Sequence, residues 1–424
     1  MYADAACEDG RDLKQSMDGF EFNVCIEPLL DWFRQHARAL PWREYPDAYQ
    51  VWVSEIMLQQ TRVEAVKPYY ERFLRELPSI EALAGCPEDR LLKLWEGLGY
   101  YNRVRHMQAA ARIIMRDYGG RLPEEYEQLL KLPGIGHYTA GAIASIAYGK
   151  PYPAVDGNVL RVLTRLMGDA SDIAKQSVRN EMENWLGGWM QQSVAGLRPE
   201  TFNQALMELG ALVCLPNGEP QCGECPWQPF CVAHREGRTA ELPVKSKAGK
   251  RRLEKRTVLL IREGDKVAIS KRADRGLLAG LYELPNCEGH LTAEEAVAYV
   301  QRMGYDPLQV QALTDAKHIF SHIEWHMIGY VVRVADFHIH ATGGAMTGER
   351  ATVQALGGVV TGEKAKIQGD WVDWEGSPQN ESPGWIFVET EDVANRYAIP
   401  AAFARYTAYL ELPEKVNADA GASA

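Results

Sequence analysis

The sequence lacks any long uninterrupted hydrophobic segment. Its 424 residues are 46% hydrophobic and 24% charged, but no apolar run approaches the ~18 residues that a membrane-spanning helix requires. The first twenty residues are polar and acidic, which is not the composition of a secretory signal peptide. We therefore expect a soluble, cytoplasmic protein that does not bind a membrane.

An excess of positive charge is also missing. The chain has 46 Lys and Arg against 57 Asp and Glu, a net charge of −11, so the protein as a whole does not attract a polyanion. The exception is residues 243–256, which contain seven cations and one acid. This basic segment is either a solvated linker between domains or a strip that lies along phosphates, and the sequence leaves both interpretations open.

Cysteine is scarce, with eight residues in the chain. Disulfides are disfavoured in a reducing cytosol, so the scattered Cys7, Cys25, Cys86 and Cys287 are predicted to be plain thiols. The others have the spacing C-x7-C-x2-C-x5-C, and four thiolates in one short loop can hold either Zn²⁺ or a [4Fe–4S] cluster. They are Cys214, Cys222, Cys225 and Cys231.

The length and the hydrophobic patterns predict more than one domain. Amphipathic segments typical of helices recur at 49–77, 89–118, 126–132, 139–148, 159–167 and 201–213. Short β-like runs follow at 257–261, 267–270, 281–284, 318–334 and 385–388. We predict a disordered leader 1–24, an all-α domain 25–242, the basic linker 243–256, an α+β domain 257–412 with a glycine-rich insertion at 341–384, and a tail 413–424.

The most informative motif is a glycine hairpin followed by a lone carboxylate. Gly134 and Gly136 flank one apolar residue in the stretch Leu-Pro-Gly-Ile-Gly-His-Tyr that starts at residue 132. Such a turn directs several backbone N–H groups at one point and holds a phosphate without a charged side chain. A monovalent cation is a further candidate ligand of this hairpin. Asp156 follows twenty residues after Gly136, where another predicted helix begins.

Together these motifs resemble the helix-hairpin-helix DNA glycosylases, with the hairpin motif at 124–149 and the cysteine loop at 214–231. The helical half is similar to the endonuclease III superfamily, and residues 27–412, apart from the insertion, resemble the MutY family of adenine DNA glycosylases. The resemblance implies a monomeric, nucleoid-associated, bacterial-type enzyme of base excision repair that acts on double-stranded DNA containing 8-oxoguanine:adenine or guanine:adenine. It also implies a [4Fe–4S] cluster on the four cysteines, although the first gap has seven residues instead of the usual six and contains no Lys or Arg.

The chemistry of such an enzyme requires two carboxyl groups. Cleavage of an N-glycosidic bond needs an acid that protonates the leaving base and a negative charge beside the oxocarbenium-like sugar. Glu55 shares a predicted helical stripe with apolar residues, which raise a carboxyl pKa, although a structural pairing with an Arg would explain it as well. Asp156 is predicted to cap a helix and to stay ionised. The resemblance implies that Glu55 protonates adenine at N7, that Asp156 stabilises or traps the sugar cation, and that Asn158 helps to arrange the site.

Tyr138 distinguishes between reaction types. Relatives that also cleave the DNA backbone carry a lysine at this position, whose amine forms a Schiff base with the sugar. A phenol cannot form one, so we predict a monofunctional glycosylase that stops at the abasic site. Two alternatives remain: an endonuclease III-like glycosylase/lyase, which Tyr138 argues against, and a non-catalytic lesion-binding protein, which the presence of both Glu55 and Asp156 argues against.

Base recognition requires that the target nucleotide leave the stack. The resemblance implies that Arg43 lines the adenine pocket and that four residues insert beside the opposite base, namely Gln60, Thr61, Leu98 and Tyr100. Residues 257–412 resemble the nudix-like domain of the family, but 293–301 has acids only at its start and lacks the R-E-x-x-E-E pattern that holds Mg²⁺. We therefore predict a domain that recognises 8-oxoguanine, through Phe320, Ser321 and His322.

Overall fold

The computed structural model describes residues 17, 20–44, 46–192, 197–246, 249–335, 353–355, 358–360 and 384–410. The tail 413–424 and most of the leader 1–24 and of the insertion 341–384 lie outside these ranges. The chain divides into two compact units, Met1–Cys86 with Asn102–Ala248, and Pro87–Tyr101 with Gly249–Ala424. The first is helical and the second contains a sheet, so the predicted all-α and α+β organisation is confirmed.

Hydrophobic stripes on successive helices build the helical unit. None of the helices in the described ranges is both long and apolar enough to cross a bilayer. In α9 (Gly157–Met167) every residue from Val159 onward is buried, and this helix packs against α11 (Pro199–Leu212) around a core that includes Leu163, Phe202 and Leu206. The helices are α1 (Ile26–His36), α2 (Ala48–Leu58), α3 (Val63–Glu76), α4 (Ile80–Gly85), α6 (Asn102–Asp117), α7 (Tyr126–Leu129), α8 (His137–Ala142), α9 (Gly157–Met167), α10 (Gln176–Gln192), α11 (Pro199–Leu212) and α12 (Val232–Arg235), while α5 (Glu88–Leu94) belongs to the other unit.

Two of the predicted helical segments are each divided in the structure. The segment 49–77 consists of α2 and α3, and between them Gln60 has a left-handed φ of 60°. The segment 89–118 consists of α5 and α6, separated by a turn in which Tyr100 has a φ of 47°. A left-handed conformation costs a residue with a side chain about 1 kcal/mol and is concentrated at functional sites. Both interruptions contain residues that the resemblance assigns to the opposite base.

The second unit is a mixed sheet with the strand order β3-β2-β1-β6-β5-β7-β8, in which β4 pairs with β1 and β9 pairs with β2. One face of the sheet packs on Phe403 and Tyr406, and the other on α13. A Cβ at Gly329 would lie 2.3 Å from Cε1 of Tyr406, so glycine allows this tyrosine to pack against β6. The elements are β1 (Arg252–Glu263), β2 (Lys266–Lys271), β3 (Tyr282–Glu283), β4 (Asn286–Glu288), α13 (Ala293–Arg302), β5 (Pro307–Ile319), β6 (Ile323–Val334), β7 (Val353–Ala355), β8 (Gly358–Val360), β9 (Trp385–Glu389), α14 (Thr390–Arg396) and α15 (Ala404–Thr407).

Two features of this unit differ from the sequence pattern. Strand β1 begins at Arg252, within the segment predicted as a basic linker. Helix α5, which is far from the sheet in sequence, is bound to it because Lys93 Nζ donates to the carbonyl of Tyr397 at 2.9 Å and Glu96 accepts from the amide of Ile399 at 2.7 Å. The segment that carries Leu98 and Tyr100 therefore belongs to the sheet unit.

Candidate active site

A pocket of about 530 Å³ lies in the helical unit. Its volume is in the range typical of small-molecule sites. Helix α2, the hairpin helix α8, the start of α9 and helix α11 supply its walls. Of the predicted site residues, it is lined by Arg43, Glu55, Gln60, Thr61, Tyr138, Asp156 and Asn158.

Glu55 is the buried acid of this pocket. Its side chain is 5% exposed on α2, and burial, with a smaller contribution from the charge of Asp156, raises its pKa to about 7. The hydroxyl of Tyr138 donates a hydrogen bond to Glu55 Oε2 and acts in the opposite direction, as does the charge of Arg43. A carboxyl group with such a pKa holds and releases a proton near neutral pH, which suits a general acid.

Asp156 is the N-cap of α9, as predicted. Its Oδ1 accepts from the amides of Asn158 and Val159 at 2.9 and 2.8 Å, and its Oδ2 accepts from Asn158 Nδ2 at 2.7 Å. Burial raises the pKa of Asp156, whereas these three hydrogen bonds oppose the rise. The helix terminus also favours negative charge at this position. The two predicted carboxyl groups of the pocket thus have different surroundings, Glu55 among apolar residues and Asp156 among N–H donors.

A third carboxylate in the pocket was missed by the sequence analysis. Glu208 on α11 accepts hydrogen bonds from Arg38 Nε and Nη2 at 2.9 and 2.8 Å and from Arg43 Nη2 at 2.9 Å. Burial alone would raise the pKa of Glu208, but the two guanidinium groups outweigh it and lower the pKa to about 2. Glu208 has the same sequence signal as Glu55, an acid within an apolar helical stretch, and only its partners show that it is held ionised.

Glu208→Gln is expected to lower stability in a pH-dependent way. The side chain is 1% exposed and its pKa falls from 4.5 to about 2, so the ionised group stabilises the fold by about 3 kcal/mol above pH 4.5, a contribution that is lost as the pH falls toward 2. Urea unfolding from pH 7 to pH 3 measures the difference between wild type and variant. Glu200→Gln, which removes an acid of the same helix paired with Arg198, is the control. A difference that does not change with pH would contradict the assignment.

Two arginines, the buried Arg161 and the half-buried Arg103, were also missed by the sequence analysis and hold parts of the site together. Arg161 of α9 donates through Nη2 to Asn158 Oδ1 at 2.9 Å and through Nε to the carbonyl of Cys214 at 2.8 Å. Arg103 donates to the carbonyls of Ile56 and Gln59 at 2.6 and 2.7 Å, which satisfies the C-terminus of the helix that carries Glu55. For Arg161, an arginine among apolar residues of a helix was the available signal. Arg103 lies in the polar first turn of α6 and has no such signal.

The four clustered cysteines surround one apolar cavity together with Leu166, Val213 and Trp227. Arg165 Nη1 lies 3.2 Å from the Sγ of Cys214. No group of three or more His, Cys, Asp or Glu within the described ranges is arranged to hold a metal ion. Outside this loop, Cys25, Cys86 and Cys287 form no disulfide, as predicted, while Cys7 lies beyond the described residues.

The two glycines of the hairpin have different structural reasons. Gly134 has a φ of 76°, and a Cβ there would lie 2.7 Å from His106 Cβ, so both conformation and space require glycine. Gly136 is extended, precedes α8 as its N-cap and has no described atom within 4 Å of a built Cβ. Its lack of a side chain therefore leaves the amides of the turn open to a ligand.

The remaining predicted recognition residues lie in the sheet unit. Tyr100 Oη and Ser321 Oγ are 3.3 Å apart, which brings two segments 221 positions apart into contact. Phe320 packs its ring against Trp325 with a centroid distance of 4.9 Å, and Ser321 and His322 are exposed in the turn between β5 and β6. Leu98 is 6% exposed, whereas Tyr100 is 49% exposed.

The start of α13 corresponds to the stretch compared above with the R-E-x-x-E-E pattern. Thr292 and Glu295 form a capping box, in which Glu295 Oε2 accepts from the amide of Thr292 at 2.7 Å. The acids at the start of this helix therefore stabilise its first turn.

Comparison with known proteins follows this division of the chain. Residues 53–187 match a family described as "HhH-GPD superfamily base excision DNA repair protein", and residues 257–409 match a family described as "NUDIX domain". The adenine DNA glycosylase of Mus musculus is 36% identical over 358 residues, which cover 70% of this chain and 68% of the relative. That of Buchnera aphidicola subsp. Baizongia pistaciae is 31% identical over 305 residues, which cover 71% and 83%. The solved structure of a thermostable thymine-DNA glycosylase aligns with a TM-score of 0.45 at 28% identity, covering 53% of this chain and 98% of that chain. The two adenine DNA glycosylase relatives confirm the family that the motifs predicted, and the chain belongs to the adenine DNA glycosylase family.

Proposed function

We propose that this protein is a monofunctional DNA glycosylase that excises adenine paired with 8-oxoguanine, and with guanine as a lesser substrate, from double-stranded DNA. The observation that carries the proposal is the pair of unlike carboxyl groups in one pocket. Glu55 is buried with a pKa of about 7, and Asp156 accepts hydrogen bonds on both oxygens at a helix N-terminus. This pair supplies the proton donor and the negative charge that depurination requires.

The proposed reaction begins with adenine flipped into the pocket. Glu55 donates its proton to N7, and the C1′–N9 bond breaks with its electron pair passing to the base, so that neutral adenine leaves. The positive charge that develops on C1′ and the ring oxygen faces Asp156, whose amide donors keep the carboxylate in place. Addition of water at C1′ with loss of one proton then completes the abasic site.

Two observations support a reaction without strand cleavage. A Schiff base needs a primary amine beside the sugar, and Tyr138 occupies the position where the bifunctional relatives carry lysine. The described residues that line the pocket include the cations Arg38, Arg43 and Arg179 but no lysine.

Tyr138→Phe is expected to shift the pH dependence of base release upward. The hydroxyl of Tyr138 stabilises the carboxylate form of Glu55, so its loss raises the pKa of Glu55 further. The alkaline limb of the rate should then move to higher pH by about one unit. Single-turnover rates between pH 5.5 and pH 9 measure the shift. A limb that stays in place or moves to lower pH would contradict this role.

We further propose that the sheet unit recognises the base opposite adenine. The contact between Tyr100 and Ser321 joins the two segments assigned to this recognition within one compact unit. The exposed hydroxyl and imidazole of Ser321 and His322 can distinguish the N7–H and 8-oxo group of 8-oxoguanine from guanine. Ser321→Ala should therefore reduce the preference for 8-oxoguanine:adenine over guanine:adenine.

The cysteine loop is proposed to hold a [4Fe–4S] cluster through Cys214, Cys222, Cys225 and Cys231. A single Zn²⁺ would draw its four sulfur atoms to about 3.8 Å from one another, whereas a four-iron cluster bonds each thiolate to a different iron and keeps the sulfurs further apart. The apolar cavity between the cysteines and the guanidinium of Arg165 suit such an anionic group. The cluster would cross-link the loop after α11 to α12. Iron and sulfide analysis, with visible absorbance near roughly 400 nm, tests this assignment.

The decisive experiment is single-turnover incubation with duplexes containing 8-oxoguanine:adenine, guanine:adenine or an oxidised pyrimidine. The proposal expects free adenine, and strand breaks that appear only after alkali. Breaks without alkali together with borohydride-trapped adducts would instead establish a lyase. Tight binding without base release would establish a lesion-binding protein.

A further inference from the structure

The register of the sheet defines an exposed face beside the turn that contains Phe320, Ser321 and His322. Side chains of partner residues in adjacent strands lie on the same face, and alternate residues along a strand share a face. Two consecutive rows across β1, β6 and β5 therefore form one surface next to the turn, which we call the turn-side face. The rows consist of Leu253, Glu324 and Ile319, and of Lys255, His326 and Lys317.

Helix α13 covers this face of the sheet only away from the turn. There, Leu259 and Ile261 of β1 are fully buried and pack in one cluster with Ala296 and Val300 of α13. Beside the turn, Leu253 and Ile319 are 65% and 52% exposed. His290 Nε2 lies 3.0 Å from the carbonyl of His326, but every side chain of the two rows except Glu324 remains exposed. This half of the face is therefore accessible to a partner.

The uncovered half carries more positive than negative charge. Lys255 and Lys317 flank His326 on three neighbouring strands, which places them about 10 Å apart. Lys317 Nζ and His326 Nε2 lie 2.6 and 2.7 Å from the same Glu324 oxygen, so Glu324 orients both side chains.

The charges on the opposite face are paired with one another. Glu254 alternates onto that face, where its carboxylate accepts from Arg256 and from Trp325 Nε1. It therefore does not offset the lysines.

We propose that the turn-side face binds the phosphate backbone of the duplex next to the base contacted by the turn, with Lys255 and Lys317 on separate phosphates. This inference rests on the proposed function, because that function brings DNA to the turn. The amide of Arg252 donates to the carbonyl of His322 at 2.9 Å, so β1 is fixed to the turn itself. Leu253 and Ile319 would supply apolar contacts to the sugars between the phosphates.

The test is the salt dependence of binding. The double variant Lys255→Gln/Lys317→Gln is compared with wild type on an 8-oxoguanine duplex that carries a non-cleavable adenine analogue. Because each lost phosphate contact reduces the slope of log K against log salt concentration by about 0.9, the slope should fall by about 2. Lys266→Gln/Arg302→Gln removes two exposed charges of the same unit away from the turn and should leave the slope unchanged.

The outcomes separate this surface from the catalytic proposal. With saturating enzyme, the variant should still release adenine, since neither lysine lines the pocket that contains Glu55 and Asp156. An unchanged slope overturns the inference. If the free variant also melts at a lower temperature, the two lysines stabilise the fold of this chain instead of binding DNA. A reduced slope in a protein that releases no base supports the surface and refutes the glycosylase.

Discussion

Glu55→Gln is expected to slow adenine release by about 10³-fold while DNA binding is retained, because the variant has no proton to donate at N7. In wild type, the pKa of about 7 means that the protonated, active form predominates below neutral pH. The single-turnover rate should therefore fall as the pH rises through 7. The residual rate of Glu55→Gln should lack this limb.

Stability measurements distinguish a catalytic Glu55 from a structural one. Burial raises the pKa of Glu55 from 4.5, its value in the unfolded chain, to about 7 in the folded protein. The free energy of unfolding therefore falls as the pH rises from 4.5 to 7, by up to about 3 kcal/mol. Glu55→Gln should thus be more stable than wild type at pH 8 and nearly equal to it at pH 4. Glu71→Gln, an exposed acid on α3, is the matched control and should change neither rate nor stability. A destabilised Glu55→Gln would favour the structural pairing instead.

Asp156→Asn should have a comparable effect for a different reason. Asparagine is as good an N-cap as aspartate, so α9 should persist, but the charge that faces the sugar cation is lost. Removal of one electrostatic partner of a transition state typically costs about 10²–10³ in rate. The variant should bind the duplex with wild-type affinity and release adenine slowly at every pH between 5.5 and 9.

A matched cap substitution controls for local structure. Asp47 caps α2 by accepting from the amide of Gln50 at 2.7 Å, and it does not line the pocket. Asp47→Asn should keep the wild-type rate. If Asp156→Asn released adenine as fast as wild type, the cation would have to be stabilised by another group, and the proposed division of roles would fail.

Local patterns were sufficient to find the residues whose surroundings are close in sequence. The apolar stripe around Glu55 predicted its raised pKa, and the position of Asp156 before a hydrophobic run predicted its cap. Glu208 shows where such reasoning ends, because its ionised state depends on Arg38 and Arg43, which are 170 and 165 positions away. An acid among apolar residues can be held protonated or ionised, and only its distant partners decide which.

The interruptions in the helices show a second limit of sequence patterns. The hydrophobic period continues through Gln60 and through Tyr100 and predicts a helix in both places. Beside Tyr100, Gly97 and Gly99 have left-handed φ values of 96° and 69° and were a local signal for the break, whereas Gln60 has no glycine beside it. A left-handed residue with a side chain has no sequence signal of its own, since the surrounding fold imposes the conformation. Likewise, the first residues of β1 do not alternate between polar and apolar, because charged residues lie on both faces of the strand there. The sequence pattern therefore did not predict that the strand begins at Arg252.

The placement of residues 87–101 has a consequence for dissecting the molecule. Because α5 is bound to the sheet unit through Lys93 and Glu96, the polypeptide passes between the units three times, near residues 86, 101 and 248. After proteolytic nicking in the basic segment, the two fragments would stay associated non-covalently, because residues 87–101 of the N-terminal fragment pack in the sheet unit. Truncation in the basic segment would remove the residues of the sheet unit that Lys93, Glu96 and Tyr100 contact. Neither fragment is therefore expected to fold as a complete unit by itself.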